Sequence, residues 1–354
     1  MVNLKINNID YQASEGLTIL DVAKEAGLKI PSLCYNEGLP HYSSCMVCMV
    51  KDRRSNNFIP SCSALIQEGM DIDTSGDEVL VLRKKAIELL LSEHRAECEA
   101  PCRVVCPAGY NIPLMNRLIA KKDYDGAIRL SVLTLKTAEI KCLTCPGYCE
   151  NACRRKKVDL PVSIRNLQLF MYQAMTKVEV EVEVEVEVEV KSIITTRRFK
   201  SLIGKLEPSE LQEWLKESAE KLNRSRDIPD FNSATSEAES CMHCDCRAAE
   251  NCKLRDLSEE LVVKDPRGKL SNSPIVKKIN NNTGLIFENA KCIKCGLCVR
   301  LCENEKIEPA LCFINRGFIS IISEPLTQEF NEILKTRSKD VIDICPTGAL
   351  SQMV

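Results

Sequence analysis

Twenty-one cysteines and three histidines in 354 residues are where this sequence could do chemistry. The cysteines fall in five groups: Cys34, Cys45, Cys48 and Cys62; Cys98, Cys102 and Cys106; Cys142, Cys145, Cys149 and Cys153; Cys241, Cys244, Cys246 and Cys252; and Cys292, Cys295, Cys298 and Cys302, followed by Cys312 and Cys345. Number alone admits disulfides, zinc or iron–sulfur clusters. Grouping favours metal, because a multinuclear site needs three or four thiolates converging on one small volume. The opening MVNLKINNIDYQ has no basic stretch leading into an apolar one, so nothing points to secretion, and a reducing cytoplasm leaves thiols available to metal. No run approaches the length of a membrane span. The expectation is a cytoplasmic protein without a membrane span and, because exposed clusters are oxygen-sensitive, an anaerobic setting.

The elements around the first group form a recognisable frame. Residues 2–6 alternate apolar and polar as a strand does, and Asn7-Asn8 marks a turn. Thr18 to Asp21 reads as a helix start with Gly27 at its end. Cys34 follows in a loop, Cys45-x-x-Cys48 precedes the strand-like VCMVK, and Cys62 closes the set. This resembles the plant-type ferredoxin β-grasp domain, although Cys34 and Cys45 stand further apart than in simple plant ferredoxins. The longer loop resembles the N-terminal domain of the large iron–sulfur subunit of complex I and of iron-only hydrogenases. The resemblance implies a [2Fe–2S] cluster on Cys34, Cys45, Cys48 and Cys62.

Groups two and three sit in CEAPCRVVCPAGYNIPLMNRL and CLTCPGYCENACRRKKVDLPVSI. With the Cys-Pro pairs at 106–107 and 145–146, this stretch closely resembles the N-terminal domain of the glutamate synthase small subunit and of dihydropyrimidine dehydrogenase. That family domain is helical and holds two [4Fe–4S] clusters. Carried over residue by residue, one cluster takes Cys98, Cys102 and Cys153, and the other Cys106, Cys145 and Cys149 with Gln168 as its fourth ligand. One family cysteine upstream of Cys98 is missing. His94 stands before Cys98 in the His-x-x-x-Cys form used by the complex I subunit, and is the candidate replacement; the other reading is a solvated histidine at a helix end. Cys142 is surplus and could displace either non-cysteine ligand.

KCIKCGLCVRLC has the three-cysteine spacing of bacterial ferredoxins, whose fourth ligand arrives from a distant Cys-Pro. Cys345-Pro346 is in place here, so a [4Fe–4S] cluster on Cys292, Cys295, Cys298 and Cys345 is expected. Lys335, Ser338 and Val341 stand where a second motif would have its cysteines, which leaves Cys302 without companions and Cys312 as a core thiol. In group four, CMHCDCRAAENC, the residues Cys241, Cys244, Cys246 and Cys252 could hold a [4Fe–4S] cluster or a structural zinc. The cluster is preferred, with a turn needed between Cys244 and Cys246.

In the relatives of groups two and three, flavin and dinucleotide domains follow, built on Gly-x-Gly-x-x-Gly turns that let backbone approach a pyrophosphate. No such turn occurs here, and in its place stands VEVEVEVEVEVEV, residues 178–190. Its strict period of two suits a strand, but a spacer is preferred; a charged amphipathic helical segment around Trp214 follows. The net charge of −2 gives no nucleic-acid footprint. The expected fold is α+β: a β-grasp [2Fe–2S] ferredoxin domain over 1–80, a helical double-[4Fe–4S] domain over 81–176, a linker over 177–235 and a ferredoxin-like module over 236–354. The expected cofactors are one [2Fe–2S] and three to four [4Fe–4S] clusters, with no flavin or NAD(P). What the resemblances imply is a non-catalytic electron-transfer subunit of a hetero-oligomeric NAD(P)H-linked oxidoreductase. Its partners would be a flavoprotein NADH-dehydrogenase-like subunit and a second redox subunit or ferredoxin: a hydrogenase, a formate dehydrogenase or a bifurcating flavoprotein. The alternatives are a redox enzyme with its own substrate site, for which Cys302 and Cys312 are the spare thiols, and a zinc-bound scaffold.

Overall fold

Val2–Ile6 (β1) and Ile9–Ala13 (β2) pair as a hairpin in which Ile6 opposes Ile9. The connecting Asn7 and Asn8 have φ of 52° and 69°, the left-handed pair that matches strand twist and that asparagine tolerates. Ile19–Glu25 (α1) begins at a capping box: Thr18 Oγ1 accepts from the Asp21 N–H at 3.1 Å, and the Asp21 carboxylate accepts from the Thr18 N–H at 3.0 Å. Gly27, at φ 72°, ends the helix as expected. Met49–Asp52 (β3), Asn57–Pro60 (β4) and Asp71–Asp73 (β5) complete a sheet of order β2-β1-β5-β3-β4, in which only β1 and β5 run parallel. Ile19, Val22 and Ala23 of α1 pack on Leu4, Ile6, Val50 and Ile72 of the sheet. Asp77–Glu93 (α2) follows, and its buried Arg83 reaches back to the Met49 carbonyl at 3.0 Å.

The computed structural model describes residues 1–95, 97–137, 142, 144–177, 208–218, 226–248, 251–263 and 276–353. The Val-Glu run lies outside them. The chain divides into two units, one of residues 1–95 and 247–353, the other of residues 96–246.

The second unit is helical: Pro101–Val104 (α3), Ile112–Ala120 (α4), Tyr124–Thr137 (α5), Tyr148–Asn151 (α6), Ile164–Lys177 (α7), Pro208–Leu215 (α8) and Phe231–Ala238 (α9). Its core joins Ile112, Met115 and Ile119 of α4 to Leu167 and Met171 of α7 and to Ala234 and Ala238 of α9. The expected linker boundary at 235 is therefore not a structural one. The small apolar face of α9 packs into the helical core and carries Cys241, Cys244 and Cys246 with it.

The chain then returns to the first unit through Lys253–Glu260 (α10), Lys277–Asn280 (β6), Leu285–Glu288 (β7), Leu297–Asn304 (α11), Cys312–Ile314 (β8), Ile321–Ser323 (β9), Ser338–Asp343 (α12) and Leu350–Gln352 (β10). One sheet runs β10-β7-β6 and a two-stranded one pairs β8 with β9. Leu285, Phe287, Val341 and Leu350 centre the core of this module. The architecture is α+β with small sheets, as expected.

Candidate iron–sulfur sites

The loop after α1 and the strands β3 and β4 bring Cys34, Cys45, Cys48 and Cys62 together, all buried. The sulfurs bond one another. Cys45 and Cys62 donate to Cys34 and hold its thiol far below the usual range, while Cys45 and Cys62 are themselves pushed up. A hydrogen bond from Cys62 draws Cys48 down to about 7. Ser43 Oγ lies 3.3 Å from Cys62 Sγ. Four sulfurs in such close reach form a donor set that fits a small iron–sulfur cluster.

In the C-terminal module Cys292, Cys295, Cys298 and Cys345 line one cavity of about 340 Å³, walled by Phe287, Ile322 and Leu350. Burial pushes Cys292 up to about 11 and Cys295 to about 12. The loop turns through Lys294 at φ 54° and Gly296 at φ 72°, where a Cβ would press on the Phe313 ring. Thr347, two residues beyond Cys345, ties that segment to the Lys291 carbonyl at 2.9 Å. Cys302 sits outside the cavity in the core, its thiol raised to about 11 chiefly by burial. Cys312 is half-buried on the two-stranded β8–β9 sheet, not in the core as expected.

One residue that no motif announced joins these two sites. Arg300 of α11 is buried, and its Nη2 donates to the carbonyls of Cys34 at 2.7 Å and of Cys295 at 3.1 Å. Nη1 donates to the Pro40 carbonyl, and the guanidinium lies 5.5 Å from the Tyr42 ring centre.

The helical unit redistributes the expected sets. Cys106, Cys145, Cys149 and Gln168 do line one cavity of about 350 Å³, and Cys142 lines it with them. Cys142 Sγ donates to Gln168 Oε1 at 2.8 Å. A second cavity, of about 360 Å³, is lined by Cys102, Cys153, Cys241 and Cys244. Cys98 is not on its wall; its carbonyl instead accepts from the Cys246 N–H at 3.0 Å. Of group four, Cys241 and Cys244 line this cavity and Cys246 does not. The chain bends at Asp245, between Cys244 and Cys246, where Arg117 grips the carboxylate through two 2.8 Å hydrogen bonds, and His243, before Cys244, has φ 47°. This segment faces Cys241 and Cys244 into the cavity shared with α3 and α6. Cys252 belongs to the other unit, where its thiol donates to the Pro346 carbonyl at 3.8 Å.

His94, at the end of α2, is buried rather than solvated, and belongs to the first unit, whereas Cys98, Cys102 and Cys153 belong to the second. Its Nδ1 lies 2.9 Å from the Lys291 carbonyl. A carbonyl can only accept, so Nδ1 donates here, as a metal-ligating histidine commonly donates its second ring N–H.

Residues 1–77 match the family described as a 2Fe-2S iron-sulfur cluster binding domain, residues 88–180 dihydropyrimidine dehydrogenase domain II with its 4Fe-4S cluster, and residues 285–351 the ferredoxin-like domain of NADH-quinone oxidoreductase subunit 3. Together with the thiol-lined sites, these matches mark iron–sulfur binding domains on this chain. It is homologous to subunits of complex I-type and NAD(P)-linked hydrogenase complexes. It is 28% identical over 160 residues to an NADH-quinone oxidoreductase subunit of Rickettsia felis, covering 41% of this chain and 22% of that one. It is 32% identical over 167 residues to NADP-reducing hydrogenase subunit HndD of Solidesulfovibrio fructosivorans, covering 43% and 28%. It is 29% identical over 132 residues to the NADPH-Fe(3+) oxidoreductase subunit alpha of Geobacter sulfurreducens, covering 36% and 15%. The chain therefore spans less than a third of these relatives. In fold it resembles the crystal structure of an NAD+-reducing [NiFe]-hydrogenase, at TM-score 0.50 and 14% identity over 99% of this chain and 87% of that one. Among the described residues no helix is long and apolar enough to cross a membrane.

Proposed function

We propose that this chain relays single electrons between a flavoprotein resembling an NADH-dehydrogenase subunit and a second redox subunit or ferredoxin, as part of a hetero-oligomeric complex and without substrate chemistry of its own. The observation that carries this reading is Arg300, whose one guanidinium donates to the backbone of Cys34 and of Cys295. A buried cation that fixes both ligand loops holds the two thiol sets at a set separation. Its charge also favours the more reduced, more negative state of each. Cys34, Cys45, Cys48 and Cys62 would hold a [2Fe–2S] cluster, and Cys292, Cys295, Cys298 and Cys345 a [4Fe–4S] cluster. Cys106, Cys145 and Cys149 would hold another, completed by Cys142 or Gln168. His94 would supply the imidazole of a further one. Bound clusters supply one-electron exchange over a wide span of potentials.

The test uses the full chain purified anaerobically. Acid extraction should release no flavin, and NADH should reduce no dye until an NADH-oxidising flavoprotein is added, whereupon the [2Fe–2S] EPR signal should appear. Stoichiometric flavin, or NADH turnover by the chain alone, would restore the enzyme reading.

A further inference from the structure

The cavity lined by Cys102, Cys153, Cys241 and Cys244 draws its thiols from two separate stretches of chain. Cys102 lies on α3 and Cys153 follows α6, while Cys241 and Cys244 come from the turn after α9. Residues 241 and 244 fall outside the 88–180 span that matches the dihydropyrimidine dehydrogenase domain. Apolar Pro113, Val162 and Ile164 form much of the remaining wall. Among the described residues no trio of His, Cys, Asp or Glu closes tightly enough for a single metal ion, whose thiolates would stand about 2.3 Å from a zinc. The four sulfurs instead surround a volume, which is what a polynuclear cluster requires.

A polar side chain is aimed at the same place. Asn116 of α4 is fully buried and lines the cavity, and neither of its amide atoms makes a well-formed hydrogen bond. Its amide lies within hydrogen-bonding reach of the Cys241 sulfur. Arg154, also on the wall, places a positive charge near the Cys244 sulfur. Four thiols beside an amide donor and a guanidinium give this apolar cavity both the ligands and the compensating positive surroundings that an anionic cluster needs.

We infer that Cys102, Cys153, Cys241 and Cys244 jointly ligate one [4Fe–4S] cluster, with the Asn116 amide donating to the Cys241 sulfur as a positioning and tuning residue. This deepens the cluster-relay reading at one site. Each thiol gives up its proton as its sulfur bonds an iron, and the group-four cysteines hold no cluster of their own. Cys241 and Cys244 thereby take the places of the one missing upstream cysteine and of Cys98, which is not on this wall, and two [4Fe–4S] clusters remain in the helical unit.

The experiment compares Cys153→Ser, Cys241→Ser and the double variant in the anaerobically purified full chain, reading iron, zinc and low-temperature EPR. Both single variants should alter or lose the same [4Fe–4S] component and leave the [2Fe–2S] signal intact, and the double variant should lose no second component. Different components lost in the two single variants, or zinc in place of iron, would overturn the assignment. Should the serine variants fail to fold, Asn116→Leu keeps every ligand and should shift one [4Fe–4S] component to lower potential, and an unmoved set of potentials would refute the site. Loss of this component with flavoprotein-dependent reduction of the [2Fe–2S] signal intact separates this site from the relay reading itself.

Discussion

Replacing an anionic thiolate by a neutral imidazole makes a cluster less negative and easier to reduce. His94, buried with Nδ1 on the Lys291 carbonyl, is oriented for that role. If His94 ligates iron, His94→Cys should keep the iron content and lower the potential of one component in an EPR-monitored titration; if no component moves, His94 is structural. The Cys142–Gln168 pair poses a similar choice. Iron favours soft thiolate over amide oxygen, so Cys142→Ala should perturb the cluster on Cys106, Cys145 and Cys149. Gln168→Ala should leave its iron in place. The reverse pattern makes Gln168 the ligand. Residues of this kind differ in how plainly they were written. Cys292, Cys295, Cys298 and Cys345 follow a ferredoxin spacing and meet in one cavity. Cys241-x-x-Cys244 announces a ligand pair, but spacing cannot say which distant thiols share its volume. Arg300 and Asn116 gave no signal, because one buried arginine or asparagine looks like any other until its neighbours are known.

At the level of elements, α9 decides where a ligand pair goes. Its start is capped by Asp230, whose carboxylate accepts from the Ser233 N–H at 2.7 Å, and buried Glu237 accepts from the Ser163 N–H at 2.8 Å. Ala234 and Ala238 are fully buried against the helical core. Enlarging Ala234 to Leu overpacks that contact, at a cost of about 1–3 kcal/mol. The variant should unfold at lower temperature and bind less iron, whereas exposed Asn232→Ala should do neither, as read by thermal unfolding and iron analysis. The β1–β2 hairpin and α1 were legible because alternation, an Asn-Asn turn and a Thr-Asp cap are local signals. The short helices α3 and α6 were not, since four residues carry no period and their place is set by the cysteines they present. The assignment of α9 to the helical unit depended on two alanines, residues too small to announce a packing face.

For the molecule as a whole, composition carried much of the class. Twenty-one cysteines in groups, with few aromatics, point to a protein organised around metal sites. What composition could not carry is chain order, for residues 96–246 form one unit while the flanking stretches 1–95 and 247–353 belong to the other. The hydrogen bond from the Cys246 N–H to the Cys98 carbonyl places the entry and exit of that internal unit side by side. A segment whose ends meet can be spliced in or out with little disturbance to the host. A gene in which a short Gly-Ser bridge joins residues 97 and 247 should therefore still yield a folded product, with the [2Fe–2S] EPR signal and the Cys292–Cys345 cluster retained. An insoluble product lacking both signals would count against it. The helical unit would then be a cassette, gained or shed in one genetic event, and the length of the electron path becomes a quantity that recombination can edit.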